Sequence, residues 1–207
     1  MAYPTVSAPY GLDPVSRVDF MPYAGATRLM AIASNVSTAI YHGDIVLLNA
    51  GYIQKSGVTS DATTAGNKTY GVFMGCQYVN TQGQTVQAQY FPGNASATSA
   101  VAYIVDDSMA AFKVALTGSG SNVVTSANAT VVGTNLAVRQ GTGSTTTGDS
   151  QVSAVAPTSG AGSNAAALPL RVIAVVPETA LNTTAFTEVI VKLNNPQITG
   201  TTGNDYV

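Results

Sequence analysis

Apolar and polar residues alternate along most of the chain in short runs, and turn-forming residues separate one run from the next. A period of two is typical of half-buried β-strands, whereas no window keeps the i, i+3, i+4, i+7 apolar stripe of an amphipathic helix. The clearest pair of runs covers residues 70–79 and 85–91, and the polar turn at 80–83 between them predicts a β-hairpin. We therefore expect an all-β fold, a sandwich or barrel of jelly-roll-like form.

Other runs of similar length predict further strands. They lie at residues 29–33, 36–41, 45–48, 52–55, 101–105, 111–116, 168–176 and 186–193. We expect the first two of these to pair with each other across a turn at Ser34 and Asn35. Within the run at 70–79, Gly71 and Gly75 indicate bulges or close approach of another backbone.

The N-terminal segment differs from the rest because it combines prolines with large aromatic side chains. Proline disfavours both helix interiors and central strands, so an extended conformation is expected. We predict an extended N-terminal arm, residues 1–28, that docks on a neighbouring surface through Tyr3, Tyr10, Phe20 and Tyr23. A disordered leader is the alternative.

The remainder of the chain is expected to form one domain and a tail. We place a β-sandwich or barrel domain at residues 29–195 and a polar C-terminal tail at 196–207. Within the domain, residues 117–167 are rich in Gly, Ser, Thr, Asn and Ala. They are interpreted either as a loop-rich lobe inserted into the domain or as part of its sheets.

Charge is the most unusual feature of the composition. Only 9% of residues are Asp, Glu, Lys or Arg, compared with about 25% in typical domains, and the net charge is -2. No basic cluster is present, so the electrostatic footprint of a nucleic-acid-binding protein is missing. A weakly charged surface carries little self-repulsion and favours a subunit that is packed against copies of itself.

The sequence also limits the compartment and the possible partners. The first residues lack the basic and apolar regions of a signal peptide, and no apolar run approaches the roughly 20 residues of a membrane span. We therefore expect synthesis in the cytoplasm and no membrane partner. A single cysteine, Cys76, and a single histidine, His42, exclude an intrachain disulfide and a zinc site built from these residue types.

Candidate chemistry is sparse. His42 lies in a turn beside Asp44, but no Gly-x-Ser-x-Gly nucleophile elbow accompanies it. Asp106 and Asp107 are adjacent, and a turn is favoured over acid–base chemistry or a Ca²⁺ site. Cys76 lies in an apolar run and is expected to be a buried structural residue. We predict no enzyme activity, no cofactor and no metal site; a hydrolase that uses His42, Asp106 and Asp107 is the alternative.

Aromatic residues in the middle of the chain allow two interpretations. They are Tyr70, Phe73, Tyr78, Tyr90 and Phe91. On an exposed face they would form a sugar-binding platform, whereas packing across strands would place them in the core, which is the commoner arrangement.

Several phrases of the sequence resemble structural proteins of tailed bacteriophages. The run YHGDIVLLNAGYI at 41–53 resembles the Gly-Asp-x-Val strand of small phage structural β-barrels. The runs GVFMGCQYVN at 71–80 and QAQYFPG at 87–93 are similar to a pattern in virion proteins of marine, cyanophage-type tailed phages. So are VDDSMAAFKV at 105–114, ALPLRVIAVVPE at 167–178 and EVIVKLNNPQI at 188–198.

The resemblance implies a virion component, namely a capsid decoration or cement protein. Such a protein binds the outer surface of the shell built by the major capsid protein, often as a homotrimer, and stabilises the head. The resemblance implies no catalytic residues. A tail, fibre or host-surface (glycan) binding module of the virion is the alternative. A major capsid protein is disfavoured because the common tailed-phage shell fold needs a long helix, and the sequence predicts none.

Overall fold

A computed structural model describes residues 5–19, 21–34, 36–57, 69–93, 98–118, 129–156, 168–180 and 186–194. Within these ranges the chain is mostly β-structure, which confirms the predicted all-β class. The strands are β1 (Asp13–Arg17), β2 (Arg28–Ala31), β3 (Ile45–Asn49), β4 (Tyr52–Lys55), β5 (Gly71–Val79), β6 (Thr85–Ala88), β7 (Thr98–Val105), β8 (Ala110–Thr117), β9 (Asn135–Arg139), β10 (Ser153–Val155), β11 (Leu170–Val175) and β12 (Glu188–Leu193). A short helix, α1 (Pro177–Ala180), precedes β12, and a 3₁₀ turn at Ala129–Val131 precedes β9.

The first sheet closes on itself as a barrel. Strands β8, β10, β9, β11 and β12 pair in that order, and β12 pairs back with β8. Strand β10 runs parallel to β8, and the other pairings around the ring are antiparallel. Strand β1 extends the sheet by pairing with the first half of β8. The barrel form of the predicted fold is therefore observed, with a strand order that is not the double Greek key of an eight-stranded jelly roll.

Alternate residues of the barrel strands fill its interior. Along β8, the inward side chains are Ala110, Phe112, Val114 and Leu116, and all four are buried in one cluster. The facing strands add aliphatic side chains, including Leu136, Val138, Leu170, Val172, Val189 and Val191. Successive side chains of a strand point to opposite faces, so a closed barrel collects every second residue. Each large apolar side chain contributes about 1.5–3 kcal/mol by leaving water.

The second sheet is also rolled, but it closes less completely. Its strands pair in the order β2-β7-β5-β3-β4, and β6 pairs with the end of β5. Within the described residues, one isolated bridge, between Ile32 and Ile53, links the two ends of this path. Its inner face buries those two isoleucines together with the rings of Phe73 and Phe91.

Three strands of the second sheet are buried on both faces where the two units meet. One residue in each of β3, β5 and β7 points into the barrel cluster, and its chain neighbour points into the second cluster. The barrel-facing set is Ile45, Val72 and Val105, and the other set is Val46, Phe73 and Ile104. Burial on both faces explains why these strands read as continuous apolar runs rather than as strict alternation.

Residues 5–19 belong to the barrel unit rather than to a separate arm. Strand β1 pairs with β8, and Leu12 is buried in the barrel cluster. The N–H of Phe186 also donates to the carbonyl of Val6. The domain boundary that we expected at residue 28 therefore differs from the structure. This part of the N-terminal segment docks on its own chain, because β8 offers it a free strand edge.

Other predictions about connectivity are also corrected. Residues 36–41 do not form a strand that pairs with β2; Ile40 exchanges backbone hydrogen bonds with Phe91, and β2 pairs with β7. Where residues 117–167 are described, they contribute β9 and β10 to the barrel and are not a separate lobe. The predicted tail at 196–207 lies outside the described residues.

Candidate interaction site

The turn that precedes β3 lies where the two sheets meet. The N–H of His42 donates to the carbonyl of Gly148 at 3.0 Å, and its carbonyl accepts the N–H of Ser150 at 2.9 Å. The N–H of the next residue, Gly43, donates to the carbonyl of Phe73 at 2.8 Å. The turn is therefore tied to the loop between β9 and β10 on one side and to β5 on the other.

Asp44 is a carboxylate at this turn with no exposed surface, 0%. Its Oδ1 accepts the hydroxyl of Ser150 at 2.6 Å, and its Oδ2 accepts the N–H of Tyr41 at 2.8 Å. The ammonium of Lys55 lies 2.9 Å from Oδ2, and the Lys55 side chain is only 14% exposed. A buried charge is tolerated when a counter-charge and hydrogen bonds replace its hydration. Asp44 therefore joins β3, β4 and the barrel loop.

An aromatic stack covers this ion pair. The ring of Tyr41 stacks on that of Tyr90, with centroids 5.5 Å apart and planes inclined by 13°. The Lys55 ammonium lies 5.5 Å from the centroid of Tyr41, within the range of a cation–π contact. On another side Gly143 packs so closely that an added Cβ would overlap the Tyr41 ring. Tyr41 is thus a structural residue of the junction.

A shallow, open cleft of about 570 Å³ lies beside the same turn. It is bordered by the turn, the bulged middle of β5, the end of β6 and strand β7. Its polar and aromatic lining consists of His42, Gln87, Gln89 and Tyr103, and Gly75 contributes bare backbone. Among the described residues, no Asp, Glu, Lys or Arg lines it. The cleft therefore offers hydrogen-bonding groups and the aromatic ring of Tyr103.

The described residues near the cleft include few reactive side chains. Within the described ranges, no three His, Cys, Asp or Glu side chains lie close enough together to hold a metal ion. Cys76 is buried, as predicted, and burial raises the pKa of its thiol to about 12. A raised pKa disfavours the thiolate that a cysteine nucleophile needs. Of the candidate residues of a hydrolase, His42 alone lines this cleft.

The two adjacent aspartates face different partners in the turn after β7. Asp106 forms an ion pair with Arg28 at 2.5 Å. Asp107 forms an ion pair with Arg17 at 2.9 Å, and its other carboxylate oxygen accepts the N–H of Met109 at 2.8 Å. The structure therefore supports the turn interpretation of this pair.

The aromatic residues in the middle of the chain pack inside the second unit. Phe73 and Phe91 are 0% and 1% exposed, and Tyr70 is 5% exposed. The ring of Tyr78 meets that of Phe91 edge to face, with centroids 5.9 Å apart. Tyr90 belongs to the stack that covers the ion pair. The core interpretation is confirmed, and these residues form no exposed platform.

Tyr10, one of the predicted interaction residues, is anchored on the outer side of the barrel. Its hydroxyl donates to the carboxylate of Glu188 at 2.5 Å, and the Lys113 ammonium lies 5.7 Å from its ring centroid. Burial, and then the hydrogen bond and charge of Glu188, raise the pKa of Tyr10 above its ordinary value. Tyr10 thus fastens the N-terminal segment to β8 and β12 of its own chain.

The other predicted interaction residues are placed less centrally or not at all. Tyr23 is half-buried, and its hydroxyl donates to the carbonyl of Ala26 at 3.0 Å. It lines a second cleft, of about 330 Å³, together with Arg17 and Asp107. Tyr3 and Phe20 lie outside the described residues.

Apart from His42 and Cys76, the side chains that line the cleft were not identified as candidates from the sequence. Gln87, Gln89 and Tyr103 occupy ordinary strand or strand-end positions, and nothing in their local pattern sets them apart. One signal was present at Gly75, where a bulge was predicted. The structure confirms it, because the pairing of β5 with β7 shifts register between Phe73 and Gly75.

Comparison with known proteins leaves the chain without an assigned relative: no family model, no curated protein and no solved structure matches it. In the part of the chain that is described, no helix has the length and apolar character needed to cross a membrane. The class that the fold and the site define is an all-β protein of two joined units with a neutral cleft at their junction.

Proposed function

We propose that this chain is a structural subunit of a tailed-phage virion that binds the outer surface of the capsid and stabilises the head. The observation that carries the proposal is a long uncharged stretch that includes β6, a strand with one side unpaired among the described residues. Residues 69–105, which contain β5, β6 and β7, include no Asp, Glu, Lys, Arg or His. Where this stretch is exposed, as on β6, its uncharged surface is suited to contact with other protein subunits.

The edge of β6 has unpaired backbone groups. Hydrogen-bonded and non-hydrogen-bonded pairs alternate along an antiparallel ladder. The N–H of Asn80 donates to the carbonyl of Gln84 at 2.9 Å, so Thr85 and Gln87 direct their backbone groups away from β5. Among the described residues, no strand pairs with that edge. Proteins usually protect such edges with charges or proline, and β6 has neither.

Four of the eight Lys and Arg side chains and five of the ten Asp and Glu side chains form ion pairs within the described part of the chain. Lys55 pairs with Asp44, Arg28 with Asp106, Arg17 with Asp19 and Asp107, and Lys113 with Glu188. Little net field remains to steer a charged partner or to repel a neighbouring copy. These features support a subunit that is held by shape and by backbone contacts in a crowded neutral assembly.

The proposal assigns specific partners and a location. The major capsid protein is the partner below the subunit, and copies of the same chain, in a homotrimer, are the partners beside it. The protein is made in the host cytoplasm and functions on the virion exterior, without catalysis.

A tail, fibre or host-surface binding module is the second candidate function. The cleft at His42 favours it, because a neutral, hydrogen-bonding cleft with an aromatic ring is suited to a ligand rather than to a capsid contact. The two functions predict different copy numbers, since a head decoration covers many capsomers and a tail module is confined to one vertex.

The proposal is tested by counting the chain in purified particles of the phage that encodes it. Peptide mass spectrometry, with the major capsid protein as internal reference, should give a ratio near that of capsomers. Particles that lack the chain should lose their DNA at a lower temperature than complete particles. A chain that is absent from particles, or present in only a few copies, contradicts head decoration.

A further inference from the structure

We propose that the cleft beside His42 binds a neutral saccharide, with one sugar ring against Tyr103 and its hydroxyl groups on Gln87, Gln89 and His42. The site is distinct from the aromatic cluster of the second core. It lies on the outside of the second sheet, at the junction with the barrel. The proposal goes beyond capsid binding and does not depend on where in the virion the subunit is located.

The backbone of His42 and the side chain of Gln89 are held in place before any ligand arrives. The backbone of His42 is bonded on both sides, to Gly148 and to Ser150. The amide nitrogen of Gln89 donates to the carboxylate of Asp149 at 2.7 Å, which leaves its amide oxygen as an acceptor. The Gln89 side chain also packs against Gly148. Groups that are already ordered lose less conformational entropy when a ligand binds.

The aromatic ring and the bare backbone lie next to each other. A Cβ added at Gly75 would be 4.0 Å from a ring carbon of Tyr103 and 3.1 Å from the carbonyl oxygen of Ala88. The absence of a side chain at Gly75 therefore keeps the floor of the cleft open between the ring and the end of β6. A sugar ring has an apolar face of C–H groups and a rim of hydroxyls, and this arrangement offers a surface for each.

The described lining has no Asp, Glu, Lys or Arg side chain, and this limits the class of ligand. Anionic sugars, nucleotides and phosphates need a cation or an oriented set of backbone donors, and no Lys or Arg of the described chain lines the cleft. An apolar ligand needs an enclosed cavity that removes most of its surface from water, whereas this cleft is open. Amide groups both donate and accept hydrogen bonds, which matches the hydroxyl groups of an uncharged sugar.

The test is a titration of the full chain with neutral oligosaccharides of glucose, galactose, mannose and N-acetylglucosamine, followed by NMR. His42 is the one histidine of the sequence, so its ring-proton signals need no further assignment. We expect at least one of these sugars to shift the His42 signals in a saturable manner. If none of them does, the proposal is overturned.

Two pairs of variants locate the site. Gln87 is exposed on β6, and Gln82 is exposed in the adjacent hairpin turn, outside the cleft. Gln87→Ala should weaken binding about two- to tenfold, the change expected from one lost hydrogen bond, whereas Gln82→Ala should leave it unchanged. Tyr103→Ala should abolish saturable binding, and Tyr52→Ala, at an exposed tyrosine of β4, should not. Equal affinity of Gln87→Ala and Gln82→Ala contradicts the assignment. Because this readout uses the isolated chain, it is independent of any result on capsids.

Discussion

The barrel and the second sheet are built from similar strands, but they treat their edges differently. In the barrel, the ring of pairings from β8 to β12 leaves no open edge within the ring, and β1 covers the remaining half of β8. In the second sheet, as far as the chain is described, one bridge joins the ends of the path, and no strand pairs with the outer side of β6. The ring of the barrel is therefore closed, whereas β6 leaves one side of the second sheet without a strand partner among the described residues.

The two units also differ in where their charges lie. Barrel strands carry charged residues on their outer faces, among them Lys113, Glu188 and Lys192. Strands β5, β6 and β7 carry none. A closed ring has no free strand edge, so the barrel does not need charges to prevent pairing with other chains. The edge of β6 has neither closure nor charge to prevent such pairing. Under the proposed function, the barrel provides stability, and the uncharged strands β5, β6 and β7 provide the contacts with other subunits.

The largest expected effect comes from removing one fully buried ring from each core. Phe112 lies in the barrel and Phe73 in the second sheet, and both are 0% exposed. Each change to alanine should reduce the free energy of unfolding by about 3–5 kcal/mol in urea denaturation, because it removes apolar contacts and leaves a cavity.

Hydrogen exchange on the same variants should separate the two units. Phe112→Ala should reduce amide protection in both, since β8 pairs with three strands and the barrel supports β3, β5 and β7. Phe73→Ala should leave protection in β8 and β12 largely intact. Equal loss of barrel protection in both variants would show that the two units open as one.

A smaller, more local effect is expected at the junction. Asp44→Ala leaves the Lys55 ammonium buried without its counter-charge and also removes acceptors for Ser150 and Tyr41. The free energy of unfolding should fall by about 3 kcal/mol, measured by urea denaturation. The control is Asp19→Ala, which removes an exposed partner of Arg17 and should cause no measurable change. If the two variants are equally stable, Asp44 does not join the units.

The smallest effect concerns the attachment of the N-terminal segment. Tyr10→Phe removes the hydrogen bond to Glu188 and should reduce the free energy of unfolding by about 1.5–3 kcal/mol near pH 7. Folding raises the pKa of Tyr10 above its ordinary value of 10.0, so the folded state keeps a proton that the unfolded state releases at high pH. The contribution of Tyr10 is therefore complete below pH 10 and lost as the pH rises further.

The pH series gives this variant its own check. The difference in stability between the wild-type protein and Tyr10→Phe should be constant below about pH 10 and should narrow above it. A difference that widens at high pH would mean that the Tyr10 hydroxyl is not held by Glu188 in its neutral form.

Local patterns predicted the strands well and their partners poorly. The hairpin of β5 and β6 followed from alternation on both sides of a polar turn, since its pairing is local. The prediction for residues 36–41 was wrong because it assumed pairing with the nearest strand in the sequence, β2. In the structure β2 pairs with β7, and Ile40 bonds to Phe91. Pairings between distant strands depend on tertiary packing, which periodicity does not report.

The contacts at the junction of the two units could not be predicted from the sequence, because they join residues that are far apart in the chain. Asp44 and Lys55 are read as ordinary turn and strand residues until Ser150, from a distant loop, completes their environment. Tyr10 was predicted to dock on a neighbouring surface, and in the structure its hydroxyl donates to Glu188 of the same chain. Aromatic and charged residues can be chosen from sequence as contact residues; the surfaces they meet require the fold.

The proposed location on the capsid surface is best tested by a reconstruction of particles of the phage that encodes this chain. We predict density for the two β-units at every equivalent position on the outside of the shell, with the second sheet at the contacts between neighbouring copies. Density at a single vertex, or none outside the shell, would contradict the assignment.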